Sequence, residues 1–163
     1  MGRPVSFETA VKKTLAHEGG YVNDVHDSGG ETKFGISKRQ YPDIDIKNLT
    51  ELEAISIYKK DYWDPYHFDK LKDQEVADKM FDMAVLVGPK TAISLMQKAI
   101  WYYDPTIVVD GILGPITLKA INTFIDHILE DYDTELCDHF LKVVTNNPKN
   151  QIYLHGWLER VDS

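Results

Sequence analysis

Apolar residues recur at intervals of three and four along most of the 163-residue chain, and this spacing limits it to a mainly helical fold. The chain has one cysteine, Cys137, which excludes an internal disulfide framework and is itself predicted to pack in the core. A chain of this length buries roughly 70% of its unfolded surface, so a hydrophobic core can hold it together.

Helices are predicted over about residues 7–18, 50–63, 73–87, 89–101, 123–144 and 148–160, with another beginning at Pro115. Thr50 is the predicted N-cap of the second helix, and Tyr58 within it is expected in the core. The last helix is expected to bury Ile152, Tyr153 and Trp157.

One segment breaks the helical spacing. Residues 21–30 are rich in Asn, Asp, Ser and Gly, a composition typical of turns, and residues 32–36 have the pattern of a short return strand. We therefore predict one small β-hairpin in an otherwise helical protein. In the helix before it, Ser6 is the predicted N-cap, and Gly19 and Gly20 are predicted to form a left-handed C-cap.

Charge and hydropathy exclude several classes of function. The chain carries 26 Asp and Glu residues against 18 Lys and Arg, a formal net charge of −8, and has no basic cluster. A nucleic acid is therefore not an expected partner. No apolar run reaches the roughly 18 residues of a membrane span, and residues 1–10 lack the pattern of a signal peptide. We expect a protein that is made in the cytoplasm and either acts there or leaves by another route.

Glu18 is the residue most indicative of chemistry. It is predicted to end the first helix, on the apolar stripe of Val11 and Leu15. Burial disfavours an ionised carboxyl group, and the partial negative charge of a helix C terminus acts in the same direction. A carboxylic acid kept protonated in this way suits general acid catalysis. The alternative is an ordinary glutamate whose side chain turns out to solvent.

Asp27 and Thr32 follow Glu18 within the glycine-rich segment. Cleavage of a glycosidic bond requires a protonated acid that faces a second, ionised carboxylate. In that arrangement Glu18 protonates the leaving oxygen, Asp27 supports the positive centre or activates a water, and Thr32 holds that water. Asp and Thr are also common in turns, so the spacing alone leaves a structural role open.

Metal and serine chemistry are not expected. His17, His26 and Asp27 lack the His-Glu-x-x-His spacing of a zinc site, and Asp24 with Asp27 lacks the loop pattern of a calcium site. No serine occurs in a Gly-x-Ser-x-Gly turn. We therefore predict neither a metal ion nor a cofactor.

Residues 18–24 are Glu-Gly-Gly-Tyr-Val-Asn-Asp, and residues 27–37 are Asp-Ser-Gly-Gly-Glu-Thr-Lys-Phe-Gly-Ile-Ser. These strings resemble the signature of glycoside hydrolase family 108, which comprises phage endolysins and related bacterial muramidases. The resemblance covers about residues 7–88. It implies a lysozyme-like fold in which Glu18 is the catalytic acid and Asp27 and Thr32 are its partners. Val25 departs from the family, which often has proline at that position.

The second half of the chain carries two other motifs. Residues 110–117 contain an Asp-Gly-x-x-Gly-x-x-Thr turn, and residues 156–160 form a Gly-Trp-x-x-Arg ending. Both are similar to the small helical peptidoglycan-binding domain of type 3. With the helix break at Gly88 and Pro89, the resemblance predicts a catalytic region over residues 1–88 and a peptidoglycan-binding region over residues 89–163. The aromatic run Trp-Tyr-Tyr at residues 101–103 departs from that domain, where a shorter loop is expected.

The resemblance implies hydrolysis of the β-1,4 bond between N-acetylmuramic acid and N-acetylglucosamine in bacterial peptidoglycan. A phage-encoded copy without a signal peptide would reach the wall through a holin or an equivalent, and we expect the protein to be a monomer. Two alternatives stay open: a lytic transglycosylase acting on the same bond, and a non-enzymatic protein associated with wall binding or secretion. Glycines permit close approach of a ligand and aromatic rings stack on sugars, so the expected substrate contacts are Gly20, Tyr21, Gly30 and Tyr66.

The negative charge is unevenly distributed along the chain. Residues 1–50 contain seven basic and seven acidic residues, whereas Asp126 to Asp138 contain six acids and no Lys or Arg. The substrate groove, which the motif residues within 1–50 are expected to form, is therefore expected to be neutral. The helix that contains the acidic residues 126–138 is expected to face away from an anionic wall. We predict that lowering the ionic strength raises wall lysis only weakly, because charge steering contributes little. Turbidity clearance across a salt series checks this, and a steep rise at low salt would contradict it.

Overall fold

The computed structural model describes residues 3–26 and 29–163 and shows a mainly helical protein, as predicted. Among these residues, no helix is long and apolar enough to cross a membrane. The chain divides into two compact units, the first ending at Pro89 and the second spanning Lys90–Ser163. The helices are α1 (Phe7–His17), α2 (Glu51–Tyr58), α3 (Gln74–Val87), α4 (Pro89–Trp101), α5 (Pro115–Thr123), α6 (Ile125–Asn146) and α7 (Gln151–Asp162).

A small antiparallel sheet lies in the first unit, with the strand order β1 (Val22–Asn23), β2 (Glu31–Lys33) and β3 (Ile36–Ser37). Strands β1 and β2 form the predicted hairpin, but the single return strand expected over residues 32–36 is divided in two. Phe34 and Gly35 both have positive φ angles, 52° and 77°, and make a second turn. The chain therefore reverses once more than the sequence pattern indicates.

The two ends of α1 differ in how well they were predicted. Ser6 is the N-cap, since its hydroxyl accepts from the Thr9 N–H at 3.3 Å. The predicted left-handed glycine cap at the other end is wrong. The helix ends at His17, and Glu18 is the C-cap in an extended conformation, with φ −85° and ψ 136°. The chain leaves α1 directly in the extended form that leads into β1.

The helix that follows the sheet begins as predicted and then changes type. Thr50 and Glu53 form a capping box at the start of α2, each side chain accepting the other residue's backbone N–H. After Tyr58 the chain continues as a π-helical turn, Lys59–Trp63, and then as a 3₁₀ turn, Asp64–Tyr66. A second 3₁₀ turn, Phe68–Lys70, leads towards α3.

Helix α1 packs on α3 and forms the core of the first unit. The fully buried Phe81 of α3 meets the Phe7 ring edge to face, with centroids 5.8 Å apart. At the start of both helices, Gln74 accepts the Ser6 N–H at 2.7 Å and donates to the Ser6 carbonyl at 3.0 Å. These contacts fix the position of α1, and with it the position of Glu18.

The second unit is built on α6, whose buried residues repeat at helical spacing as predicted. Tyr132 is fully buried and donates its hydroxyl to the Ala92 carbonyl of α4 at 3.1 Å. On the other side, Trp157 of α7 stacks on Phe140 with ring centroids 5.0 Å apart. Helix α6 is therefore in contact with both α4 and α7.

One prediction for α7 is wrong. Ile152 and Tyr153 were expected to be buried but are 78% and 50% exposed. Arg160 and Val161 are buried instead, so burial falls on the last turn of α7 and not on its first.

Gln97 organises the glycine-rich turn of the second unit. It is fully buried in α4, and its amide oxygen accepts the N–H groups of Asp110 and Gly111 at 3.0 and 2.8 Å. Its amide nitrogen lies 2.9 Å from the Asp110 carboxylate and 3.1 Å from the Thr117 hydroxyl. The Asp and Thr of the sequence motif are thus the partners of one buried glutamine.

We predict that Gln97→Leu lowers the free energy of unfolding by about 2–3 kcal/mol, because it leaves buried backbone N–H groups without an acceptor. Thermal or denaturant unfolding measures the change. Gln151→Leu, at an exposed position, is the matched control and is expected to shift stability by less than about 0.5 kcal/mol. Equal stability of the two variants would show that the turn does not depend on Gln97.

Candidate active site

Glu18 leaves the end of α1 and is half-buried against the turn between β2 and β3. Its carboxyl group occupies the space beside Gly35 where a side chain would begin. A methyl group placed on Gly35 would lie 2.8 Å from Cδ and 2.9 Å from Oε2 of Glu18, closer than real contacts of this kind. Any residue with a side chain at position 35 would therefore displace the Glu18 carboxyl group.

Tyr58, the last residue of α2, also contacts this turn. It is 1% exposed, and its hydroxyl donates to the Phe34 carbonyl at 2.6 Å. That hydroxyl also occupies the space beside Gly35, so the Glu18 carboxyl and the Tyr58 hydroxyl flank one glycine. The Tyr58 ring packs edge to face on Phe81, with centroids 6.2 Å apart, which ties the site to the core.

The Phe34 peptide is held on both sides. Its N–H donates to the Gly19 carbonyl at 3.2 Å, and its carbonyl accepts from Tyr58. Gly19 follows Glu18 directly, so the turn is bonded to the backbone beside the acid. Lys33 adds a contact from its ammonium group to the Phe34 ring, 5.5 Å from the centroid.

Thr32 lies at the centre of the sheet, opposite Val22 on β1 and Ser37 on β3. Residues paired across antiparallel strands project from the same face, and neighbours along a strand project from opposite faces. Thr32 therefore points away from the side on which Ile36 is buried. Asp27, the other expected partner of Glu18, lies outside the described residues, and its role stays a prediction.

The expected substrate contacts fall in different surroundings. Tyr21 is 38% exposed and donates its hydroxyl to Glu31 at 2.7 Å, and this hydrogen bond raises the pKa of Tyr21. Gly20 and Gly30 have open space where a side chain would be, and Gly30 has a φ of 67°. Tyr66 is half-buried in its 3₁₀ turn, with its ring 6.3 Å from that of Phe68. Tyr66 thus packs on the core.

Gly35 and the Tyr58 hydroxyl are site features that the sequence reasoning missed. A glycine inside a strand pattern indicates a close approach to the backbone, and this signal was present at Gly35. Tyr58 was expected to be a core aromatic, and its ring is buried in the core. The contact of its hydroxyl with the turn beside Glu18 is visible only in the structure.

Two further tyrosines, Tyr41 and Tyr62, are connected to Tyr58. Tyr41 donates to the Asp61 carboxylate at 2.8 Å, and burial together with this bond raises the pKa of Tyr41. Burial also raises the pKa of Tyr62, whose ring packs on Tyr58 with centroids 5.6 Å apart. In the ranges 3–26 and 29–163, no three His, Cys, Asp or Glu side chains are grouped as metal ligands.

Comparison with known proteins finds a matching family model for each half of the chain. Residues 11–88 match the model of glycosyl hydrolase 108, and residues 87–162 match that of a predicted peptidoglycan domain. Among solved structures, SagA from Brucella abortus is similar, with 28% identity and a TM-score of 0.75 over 96% of this chain and 89% of that one. A comparison with curated proteins gives no match.

We predict that Gly35→Ala abolishes activity on peptidoglycan, because the new methyl group displaces both Glu18 and Tyr58. The positive φ adds a backbone strain of about 1–2 kcal/mol. Release of soluble fragments from purified peptidoglycan, normalised to folded protein, measures the effect. Gly88→Ala is the control for strain alone, since Gly88 also has a positive φ (91°) but open space around it. An active Gly35→Ala enzyme would show that the close contact with Glu18 is not needed.

Proposed function

We propose that this peptidoglycan-acting glycosidase is an N-acetylmuramidase. The match of residues 11–88 to the model of glycosyl hydrolase 108 and of residues 87–162 to that of a predicted peptidoglycan domain supports this proposal. The enzyme would hydrolyse the β-1,4 bond between N-acetylmuramic acid and N-acetylglucosamine. The observation that carries the proposal is the Glu18 carboxyl group, seated on Gly35 beside the Tyr58 hydroxyl.

The surroundings of Glu18 support the proposal that it is the general acid. The packing of α1 on α3 and the bonds to the Phe34 turn hold it on rigid elements. Gly19 and Gly20 next to it are exposed and carry no side chains, so a bulky polysaccharide can approach the carboxyl group. In the proposed reaction Glu18 gives its proton to the leaving glycosidic oxygen as the bond to the sugar C1 breaks.

Water completes the proposed reaction. We assign Asp27 to the activation of this water or to support of the positive sugar centre, and Thr32 to orientation of the water. The position of Thr32 on the sheet face opposite the buried Ile36 supports a role towards solvent. The peptidoglycan domain over residues 87–162 would hold the enzyme on the wall between cleavage events.

We predict that Glu18→Gln lowers the rate of fragment release from purified peptidoglycan by at least about 100-fold, because the amide has no acidic proton to transfer. The variant is expected to keep the wild-type unfolding midpoint. Glu75→Gln, which changes an exposed glutamate of α3, is the matched control and is expected to stay active. Wild-type activity in Glu18→Gln would show that Glu18 is not the acid.

Mass spectrometry of the products tests the choice of reaction. Hydrolysis at the proposed bond leaves N-acetylmuramic acid at a reducing end. A lytic transglycosylase, which needs one acid and no attacking water, leaves 1,6-anhydro ends instead. Anhydro products from the wild-type protein would replace the proposed reaction with the transglycosylase reaction, and an absence of any product would favour a protein that only binds the wall.

A further inference from the structure

The aromatic run at the end of α4 lines a cavity that the proposed reaction does not use. Trp101 and Tyr102 are 48% and 70% exposed, and their rings meet edge to face with centroids 6.1 Å apart. The cavity has a volume of about 390 Å³ and lies entirely within the second unit. Its lining residues are Lys98, Trp101, Tyr102, Val109, Glu135 and Lys142.

Two lysines from different helices line this cavity, Lys98 from the last turn of α4 and Lys142 from α6. The charges of both act on His139, which lies one turn before Lys142 in α6. Burial lowers the pKa of His139, and the charges of Lys98 and Lys142 lower it further. The charges of these two lysines, which are 44 positions apart in sequence, therefore act on the same side chain in the folded unit.

The cavity has a local excess of positive charge. Helix α6 carries six Asp and Glu residues, and Lys142 is its only Lys or Arg. The cavity combines Lys98 and Lys142 with a single carboxylate, Glu135, whereas the whole chain has a formal net charge of −8. The cavity therefore complements an anionic group that also offers a flat apolar surface.

We propose that this cavity, the Lys98–Lys142 pocket, binds an N-acetylated amino sugar of peptidoglycan together with a carboxylate attached to it. The inference rests on the proposed function, because it takes peptidoglycan as the substrate. The Trp101 ring packs on the apolar face of the sugar ring, and the Tyr102 ring, nearly perpendicular to it, contacts the edge of the sugar. Lys98 and Lys142 donate to the carboxylate. Glu135 accepts a hydrogen bond from a sugar hydroxyl or an amide N–H.

In peptidoglycan the carboxylate has two sources. Where no peptide is attached, the lactyl group of the sugar is a free carboxylate; where a peptide is attached, the lactyl group is an amide and the peptide carries the carboxylate. Sacculi contain both forms, and in each the carboxylate is on a substituent of an acetamido sugar, which is the shared feature the pocket recognises. This pocket places the turns of α6 at Glu135 and Lys142 towards the wall, whereas the acidic residues 126–138 led us to expect that this helix faces away from it.

Binding is measured with the full chain carrying Glu18→Gln, so that the wall is not degraded. The probes are purified sacculi, glycan strands freed of peptide by an amidase, and chitin, which has acetamido sugars but no carboxylate. We expect Lys98→Gln with Lys142→Gln to weaken binding to sacculi about tenfold and to leave binding to chitin unchanged. Trp101→Ala is expected to weaken binding to all three probes.

Matched control variants test whether binding depends on the pocket residues or on any exposed lysine or aromatic side chain. Lys119→Gln and Tyr153→Ala change an exposed lysine and an exposed tyrosine elsewhere in the second unit and are expected to bind like the parent. Lys98→Arg with Lys142→Arg keeps the charge and is expected to retain binding to sacculi. All variants are compared by thermal unfolding, since the altered side chains are exposed and the midpoint is expected to stay the same.

Each outcome decides for or against the pocket. Dependence of stripped glycan binding on the two lysines identifies the lactyl carboxylate, and dependence limited to intact sacculi identifies the peptide carboxylate; both support the proposal. Three results would overturn the proposal. The first is that the double Gln variant binds sacculi as tightly as the Glu18→Gln parent. The others are that it loses binding to chitin as much as to sacculi, or that Lys119→Gln loses binding to sacculi as much as the double variant does.

The same proteins distinguish failure of the pocket from failure of the proposed function. If the wild-type chain releases glycan fragments while the pocket variants bind sacculi like the parent, only the pocket assignment fails. If the wild-type chain releases nothing while the double Gln variant still loses binding to sacculi, only the glycosidase assignment fails.

Discussion

The packing of aromatic rings around Phe81 is the interaction on which the first unit depends. The Phe81 ring contacts those of Phe7, Tyr58, Trp63 and Phe68, with centroid distances between 5.5 and 6.4 Å. Each such pair contributes about 0.5–1.5 kcal/mol beyond the area it buries. Since Phe7 begins the helix that ends at Glu18, and Tyr58 carries the hydroxyl at Gly35, this one cluster sets the position of the acid and of its neighbour.

Each unit uses one buried polar side chain to hold a turn that the motifs mark. In the first, the Tyr58 hydroxyl binds the Phe34 carbonyl and stabilises a turn with two positive φ angles. In the second, Gln97 binds both sides of the turn at Asp110 and Gly111. Hydrogen bonds of this kind are directional, so they determine the shape of a turn where apolar packing alone would not.

Local patterns predicted the elements well and their tertiary contacts less well. The caps at Ser6 and Thr50 were correct because capping depends on residues within one turn of the helix. The cap at Gly19 was wrong because the path of the chain into β1, a non-local constraint, keeps Glu18 extended. Tyr153 was wrongly placed in the core because periodicity defines a helix face but not how much of its length is covered.

The sequence by itself determined the mainly helical fold and the irregular segment at residues 21–36, because these follow from spacing and composition over short stretches. It also made Glu18 the candidate acid, through its position at the helix end and the motif that resembles glycoside hydrolase family 108. Only the tertiary structure decided which groups stand beside that acid. Gly35 and Tyr58 are 17 and 40 positions from Glu18, and their contacts depend on three-dimensional packing. For the same reason, Lys98 and Lys142 become neighbours of one cavity only when α4 and α6 fold together.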